Sequence, residues 1–294
     1  MCALLFLFVG QLVYPFPTGS VLTEGSSVHQ KKISPDYRQA SYNIHLNSAV
    51  DDYASFISSL NPNNLFSIGT AEKKYKEMFD KSPNNIADQA FVKFWNFYLA
   101  AADSAAERLV HNNRYKYLIS IKNYNTNPAD YKNLKFDLTL NKKILNENDF
   151  RLLSLLNSYG LMFAVKDGLM IINFGSTDFL LNNFGNSLSE AMRAYLSETF
   201  KEANESLIEN DKIVLPAEKI AERTIWWENF INSNQDFVLL PECKLTYNFY
   251  LSTLMHGIAD STASFSVEPR TEKEFRKAYR LIIQKYSSTK TADK

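Results

Sequence analysis

Few side chains in this sequence are placed to do acid–base, nucleophilic or metal chemistry. The four histidines are His29, His45, His111 and His256. None stands in an HxxxH or HExxH arrangement, the spacing that sets two imidazoles on one helix face to grip zinc. His256 has Asp260 nearby and could act as a base beside it. A satisfied or solvent-exposed histidine near a helix end is the simpler reading. Cys2 and Cys243 form no CxxC pair, so their number and spacing exclude a four-ligand zinc site built on thiolates. Cys243 reads as a small buried hydrophobe. The GxxxxGK[ST] and GxGxxG loops that cradle phosphates are absent, as is the GxSxG nucleophile elbow. The acidic pairs Asp51-Asp52 and Glu272/Glu274 sit at predicted helix starts, where they complement the helix dipole. Asn204-Glu205-Ser206 matches a glycosylation acceptor by chance on a helix. These patterns predict no catalytic residue, no cofactor and no metal. A second reading keeps an enzyme of unknown class whose site assembles from distant residues, near His256 or the 161–174 segment.

The residue pair with recognition chemistry is Trp226-Trp227. Neighbours on a helix point about 100° apart, so only Trp227 fits an inward stripe. Trp226 is then the candidate partner-binding residue, because exposed tryptophan is enriched at binding surfaces. A wide core face that also buries Trp226 is the competing reading. The aromatic run around Trp95 resembles a ligand box only superficially, since helical spacing makes it core.

Charge narrows the partner. Lys plus Arg and Asp plus Glu number 32 each, giving a formal net charge of zero over 294 residues. Without a basic excess there is no global field to draw in nucleic acid or anionic lipid. Lys/Arg runs do not exceed pairs such as Lys31-Lys32, Lys73-Lys74 and Lys142-Lys143. Nucleic acid is therefore not expected as a partner, and another protein is.

The elements that must position these residues are mostly helices. Hydrophobic residues make up 45% of the chain, enough for a sizeable core, and only 9 glycines argue against a turn-rich all-β fold. Apolar side chains recur at helical spacing from Ser48 onward: Val50, Tyr53, Phe56, Ile57 and Leu60, and then Tyr75, Met78 and Phe79. The clearest stripe is Ala87, Phe91, Phe94, Trp95, Tyr98, Ala102, Ala105 and Leu109. Residues 115–121 and 134–140 alternate like strands. Residues 147–158 read as a helix with Gly160 as its C-cap. Leu161–Val165 and Leu169–Phe174 flank Lys166-Asp167-Gly168, a signal for a β-hairpin. Ser187 and Glu190 predict a capping box opening a helix to about Glu209. Pro216 opens the next helix, with Ile220, Thr224, Trp227, Phe230 and Ile231 inward. Pro241 opens another, bearing Tyr247, Tyr250, Leu251 and Leu254. The last stripe is Phe275, Ala278, Tyr279, Ile282, Ile283 and Tyr286.

An aromatic residue followed three and four positions later by apolar ones, then a polar turn, occurs three times. The three cases are Tyr75/Met78-Phe79, Trp227/Phe230-Ile231 and Tyr279/Ile282-Ile283. The turns Ser82–Asp88 and Tyr286–Asp293 resemble the inter-helix turns of tetratricopeptide-like repeats in lipoproteins of the bacterial cell envelope. The resemblance covers roughly residues 71–109 and 217–294. It implies antiparallel helix hairpins and a protein-binding or scaffolding role.

Residues 3–13 (ALLFLFVGQLV) have the length of a signal-peptide core, are too short for a transmembrane helix, and precede small residues at Thr18-Gly19-Ser20. No Lys or Arg precedes the run, and a buried N-terminal element is its other reading. Cys2 lacks a preceding lipobox. The expected organisation is a signal peptide or anchor over 1–20 and a disordered tether over 21–47. An N-terminal helical region over 48–112 follows, then a mixed region with the β-hairpin over 113–185 and helical hairpins over 186–294. The expected fold class is mainly α with a small β-hairpin. The expected function is that of an extracytoplasmic, secreted or membrane-tethered helical protein that binds other proteins.

Overall fold

A computed structural model describes residues 37–111, 147–166, 169–174, 177–205, 207–209, 212–256 and 269–293. Within them the chain is mainly helical. The helices are α1 (Tyr37–Ser59), α2 (Phe66–Phe79), α3 (Asn84–His111), α4 (Glu147–Ser158), α5 (Asp178–Phe184) and α6 (Glu190–Asn204), followed by α7 (Ala217–Ser233), α8 (Leu240–His256) and α9 (Pro269–Lys285). Strands β1 (Leu161–Lys166) and β2 (Leu169–Phe174) pair antiparallel, from Leu161 opposite Phe174 to Lys166 opposite Leu169. A two-residue pair, β3 (Ile208–Glu209) and β4 (Lys212–Ile213), follows α6. The apolar run at 3–13, the expected strands at 115–121 and 134–140, and Asp260 lie outside the described residues. Among the described residues no helix is long and apolar enough to cross a membrane.

The chain divides into two compact units, and the boundary falls inside α6, between Ser197 and Glu198. The N-terminal unit is built on aromatic packing. Ile68, Ala71, Tyr75 and Phe79 on α2 are fully buried, as the helical period of their positions requires. Alanines 87, 90, 101, 102 and 105 line the buried face of α3 and let neighbouring backbones come close. Phe184, from α5, sits at the centre: its ring lies 4.8 Å from Tyr75, 5.2 Å from Phe91 and 4.4 Å from Phe94. Each large aromatic removed from water contributes roughly 2–3 kcal/mol, and edge-to-face or offset contacts add to that.

The buried tyrosines solve their polarity with backbone acceptors. Tyr53 donates to the Ala71 carbonyl at 2.9 Å, Tyr75 to that of Ala87 at 3.1 Å and Tyr98 to that of Tyr159 at 2.7 Å. Each bond ties one helix to the backbone of another or of the turn that follows it. Gly160, just past α4, takes φ 72°, a left-handed conformation in which glycine lacks the steric cost of a side chain.

Four expectations need correction. The helix expected from Ser48 begins at Tyr37, so residues 37–47 of the expected tether are helical backbone. Helix α5 was not foreseen, since seven residues are too few for a periodic pattern to stand out. The expected Ser187–Glu190 capping box is not the cap of α6. Ser189 caps it, accepting from the Met192 N–H at 3.0 Å, while Ser187 is buried two residues before that cap. The helix also stops at Asn204 rather than near Glu209. In the last stripe, Ala278 and Ile282 are buried but Ile283 is 61% exposed, because α9 presents a narrower covered face than the pattern implied.

The Ser189 cap is itself held by Asp88 of α3. Asp88 is 4% exposed and accepts from the Ser189 N–H at 3.0 Å and its hydroxyl at 2.5 Å. Burial raises its carboxyl pKa, and Arg193 opposes the rise. An Asp88→Ala chain leaves two half-buried donors of Ser189 without their acceptor. It should lose about 2 kcal/mol of unfolding free energy in urea titrations, and a change within error would show that the cap stands without it.

Candidate functional site

The most unusual chemistry in the described residues begins on the last turns of α6. Glu198 and Glu202 fall at i and i+4 on one face of α6, and Glu205 follows just past the helix end. Like charges at this spacing repel unless something compensates, and here the compensation comes from α7 and α8.

Glu202 is 2% exposed. Its Oε1 accepts from the indole N–H of Trp227 at 2.8 Å, and its Oε2 accepts from the Tyr250 hydroxyl at 2.9 Å. The Tyr250 oxygen accepts in turn from Nη1 of Arg223 at 3.1 Å. Nη2 of Arg223 donates to the Glu205 carbonyl at 2.9 Å and to its carboxylate at 3.1 Å. Three helices are thus connected by one chain of hydrogen bonds, indole to carboxyl to phenol to guanidinium to carboxylate. Arg223 is itself 2% exposed, so its charge is held among protein partners.

Burial dominates the electrostatics. Loss of water pushes the Glu202 carboxyl up from 4.5 to about 7, against the pull of Arg223 and the two donated hydrogen bonds, with Glu198 adding to the rise. Burial likewise pushes the Tyr250 hydroxyl up, reinforced by Glu202. A carboxyl that titrates near neutrality has the poise of a general acid or base. Here both oxygens are committed to protein donors and the group is buried, so it is not presented to an outside substrate.

Above this chain lies a surface cleft lined by Glu198, Lys201, Glu205, Lys219, Glu222, Arg223 and Trp226, taking in about 400 Å³ with the solvent at its mouth included. Lys201 pairs with Glu198 at 3.0 Å and Lys219 with Glu222 at 3.4 Å. The lining therefore carries three cations and three carboxylates. Trp226 stands half-buried in the wall. Its ring stacks on Phe230 at 5.1 Å with planes 14° apart and meets Trp227 edge-on at 4.8 Å.

No protein-family model, curated protein or solved structure matches this chain. The functional reading rests on the site's own chemistry.

Of the residues singled out in the sequence, Trp226 lies in the cleft and Trp227 lies beneath it, as their 100° separation requires. His256 is exposed at the end of α8. Residues 161–166 and 169–174 are the paired strands β1 and β2. Among the described residues, no three His, Cys, Asp or Glu side chains come together to hold a metal ion. Sequence reasoning missed Glu202, Arg223 and Tyr250 as a group. Arg223, one turn before Trp227 on the same stripe, was the available signal, because a charged residue at an inward position demands a buried partner.

Cys243, on α8, has 0% exposure, and burial pushes its thiol up with Glu242 adding to the effect. The thiolate is the reactive form. Iodoacetamide at about pH 8 should leave Cys243 unmodified in the native chain and modify it fully in guanidinium, read by peptide mass spectrometry. Native labelling at Cys243 would show that this core opens.

The Glu202 shift has a definite sign. An unfolded carboxyl releases its proton near 4.5, while the folded one holds it to about 7. As pH climbs between those values the unfolded chain binds fewer protons than the folded one, so stability falls, by on the order of 3 kcal/mol, and then levels off. Glu202→Gln cannot titrate. Urea titrations at about pH 5 and pH 8 should show wild type losing stability relative to Glu202→Gln by that order as pH rises. Parallel losses in the two chains would refute the assignment.

Proposed function

We propose that this chain works by binding rather than catalysis: a helical protein, built from hairpins of the tetratricopeptide-like kind, that captures another protein at the cleft beside Trp226. The observation that carries this reading is the fixed indole. Trp226 is clamped by Phe230 and Trp227, so little side-chain entropy remains to be lost when a partner covers it. It stands in a wall of alternating charge, the combination of an aromatic anchor and a polar rim found at recognition surfaces. The short connections between α2 and α3 and between α7 and α8 support the hairpin reading, as does the packing of each pair. The apolar run at residues 3–13 supports placing this activity outside the cytoplasm, on a secreted or tethered chain.

A photo-crosslinking residue in place of Trp226 should yield a discrete protein adduct in cells that the same residue at exposed Gln235 does not. With that partner purified, Trp226→Ala should weaken binding by about 2 kcal/mol, a roughly thirty-fold rise in Kd, while leaving the thermal transition in place. Identical adducts at both positions, or an unchanged Kd, would remove the proposal.

A further inference from the structure

The cleft and the sealed carboxyl share a residue. Arg223 lines the cleft wall and also donates to the Tyr250 hydroxyl, which donates to Glu202. What Glu202 does with its proton therefore bears on how Arg223 is held.

With Glu202 ionised, the Tyr250 hydroxyl has one arrangement that satisfies every partner: its hydrogen points to Oε2 of Glu202 and its oxygen receives the Arg223 N–H. A proton arriving at Glu202 weakens this arrangement. Oε1 faces the Trp227 N–H, a donor that cannot accept, so the proton settles on Oε2, the oxygen beside Tyr250. A neutral carboxyl is a weaker acceptor than a carboxylate, so the phenol hydrogen bond loses strength and polarises the phenol oxygen less. The bond from Arg223 to that oxygen weakens in turn, which leaves Glu205 to hold the guanidinium. The ionisable groups that bear on Glu202 are Glu198 on its own helix, Arg223 on α7 and Tyr250 on α8, with Glu205 acting through Arg223.

We propose that Glu202, Tyr250 and Arg223 form a proton-responsive linkage that transmits protonation of the buried carboxyl to the guanidinium in the wall of the Trp226 cleft. The balance is one proton taken from solvent onto Oε2, with no bond broken except hydrogen bonds. The same step removes one negative charge from beneath a cleft whose lining is otherwise balanced, so the surface becomes less attractive to a cationic partner segment as pH falls. Burial supports operation near neutral pH, since the carboxyl is pushed up to about 7. The consequence for partner capture rests on the reading of the cleft given above, whereas the linkage is a property of the chain alone.

The test uses the full chain labelled with ¹⁵N at tryptophan, which gives indole signals from Trp95, Trp226 and Trp227. Between about pH 5 and pH 9 the Trp227 and Trp226 N–H signals should move together with a common midpoint near 7, and that of Trp95 should stay still. In Glu202→Gln both movements should vanish. In Tyr250→Phe the Trp227 signal should still titrate, while the Trp226 movement should shrink, because the route through Arg223 is cut and only the direct contact with Trp227 remains. If either variant fails to fold, the wild-type spectra still decide: a Trp227 signal that titrates beside a motionless Trp226 signal overturns the linkage, as does no titration at all. A Trp226 movement that persists in Glu202→Gln, or that is undiminished in Tyr250→Phe, also overturns it. These spectra need no partner, so a failed search for one at Trp226 leaves them standing, and their failure leaves the crosslinking experiment standing.

Discussion

A carboxylate taken out of water must be met by donors, and in the C-terminal unit that requirement governs how three helices meet. Glu202 lies on α6, its indole donor on α7 and its phenol donor on α8. Hydrophobic burial alone would let these helices slide or rotate over several near-equivalent packings, because it is non-directional. A hydrogen bond weakens steeply with misalignment, so the two donated to Glu202 select one packing. The apolar neighbours follow. Trp227 is buried because its N–H is fixed, and Trp226, next along the helix, is thereby turned toward the cleft.

The same device appears again on α7. Glu228 is 4% exposed and accepts from the backbone N–H groups of Lys290 and Thr291, at 2.6 and 2.9 Å, and from the Thr291 hydroxyl. The turn after α9 is fastened by this carboxylate, and Tyr247 of α8 shares a hydrogen bond with Thr291 at 3.2 Å. Helix α7 thus carries inward charge at Arg223 and Glu228 and packs against both α8 and α9. Buried charges of this kind are weak sources of net stability, but removing one partner strands the other. They favour specificity of arrangement over depth of the energy well.

The N-terminal unit is held by another means. Its core is a continuous group of rings, from Tyr53 and Tyr75 through Phe184 to Phe94 and Tyr98, and its buried hydroxyls point at backbone carbonyls. Backbone acceptors are present in any helix, so such bonds tolerate more variation in partner than the Glu202 chain does. Asp88 is the exception, and it acts locally, on the cap of α6. Proton-dependent behaviour is therefore concentrated where carboxyls are enclosed by side-chain donors.

Much of the helical framework was legible in the sequence. The stripes at Tyr75 and Phe79, at Phe91, Phe94 and Tyr98, and at Ile220, Thr224, Trp227 and Phe230 are buried in the structure, because a 3.6-residue period puts those positions on one side of a rod. The zero charge balance and the separation of Trp226 from Trp227 were legible for the same reason: they depend on composition or on a single element. The Ser189 cap was not, since Ser187 and Ser189 both precede the helix and only Asp88, about a hundred positions earlier, distinguishes them. Nor was the site. Glu202, Arg223 and Tyr250 look like ordinary polar residues along the chain, and their chemistry exists only once α6, α7 and α8 exclude water around them. Periodicity is a property of one element and can be read from it, whereas desolvation and donor–acceptor pairing belong to several elements at once, and folding alone brings them together.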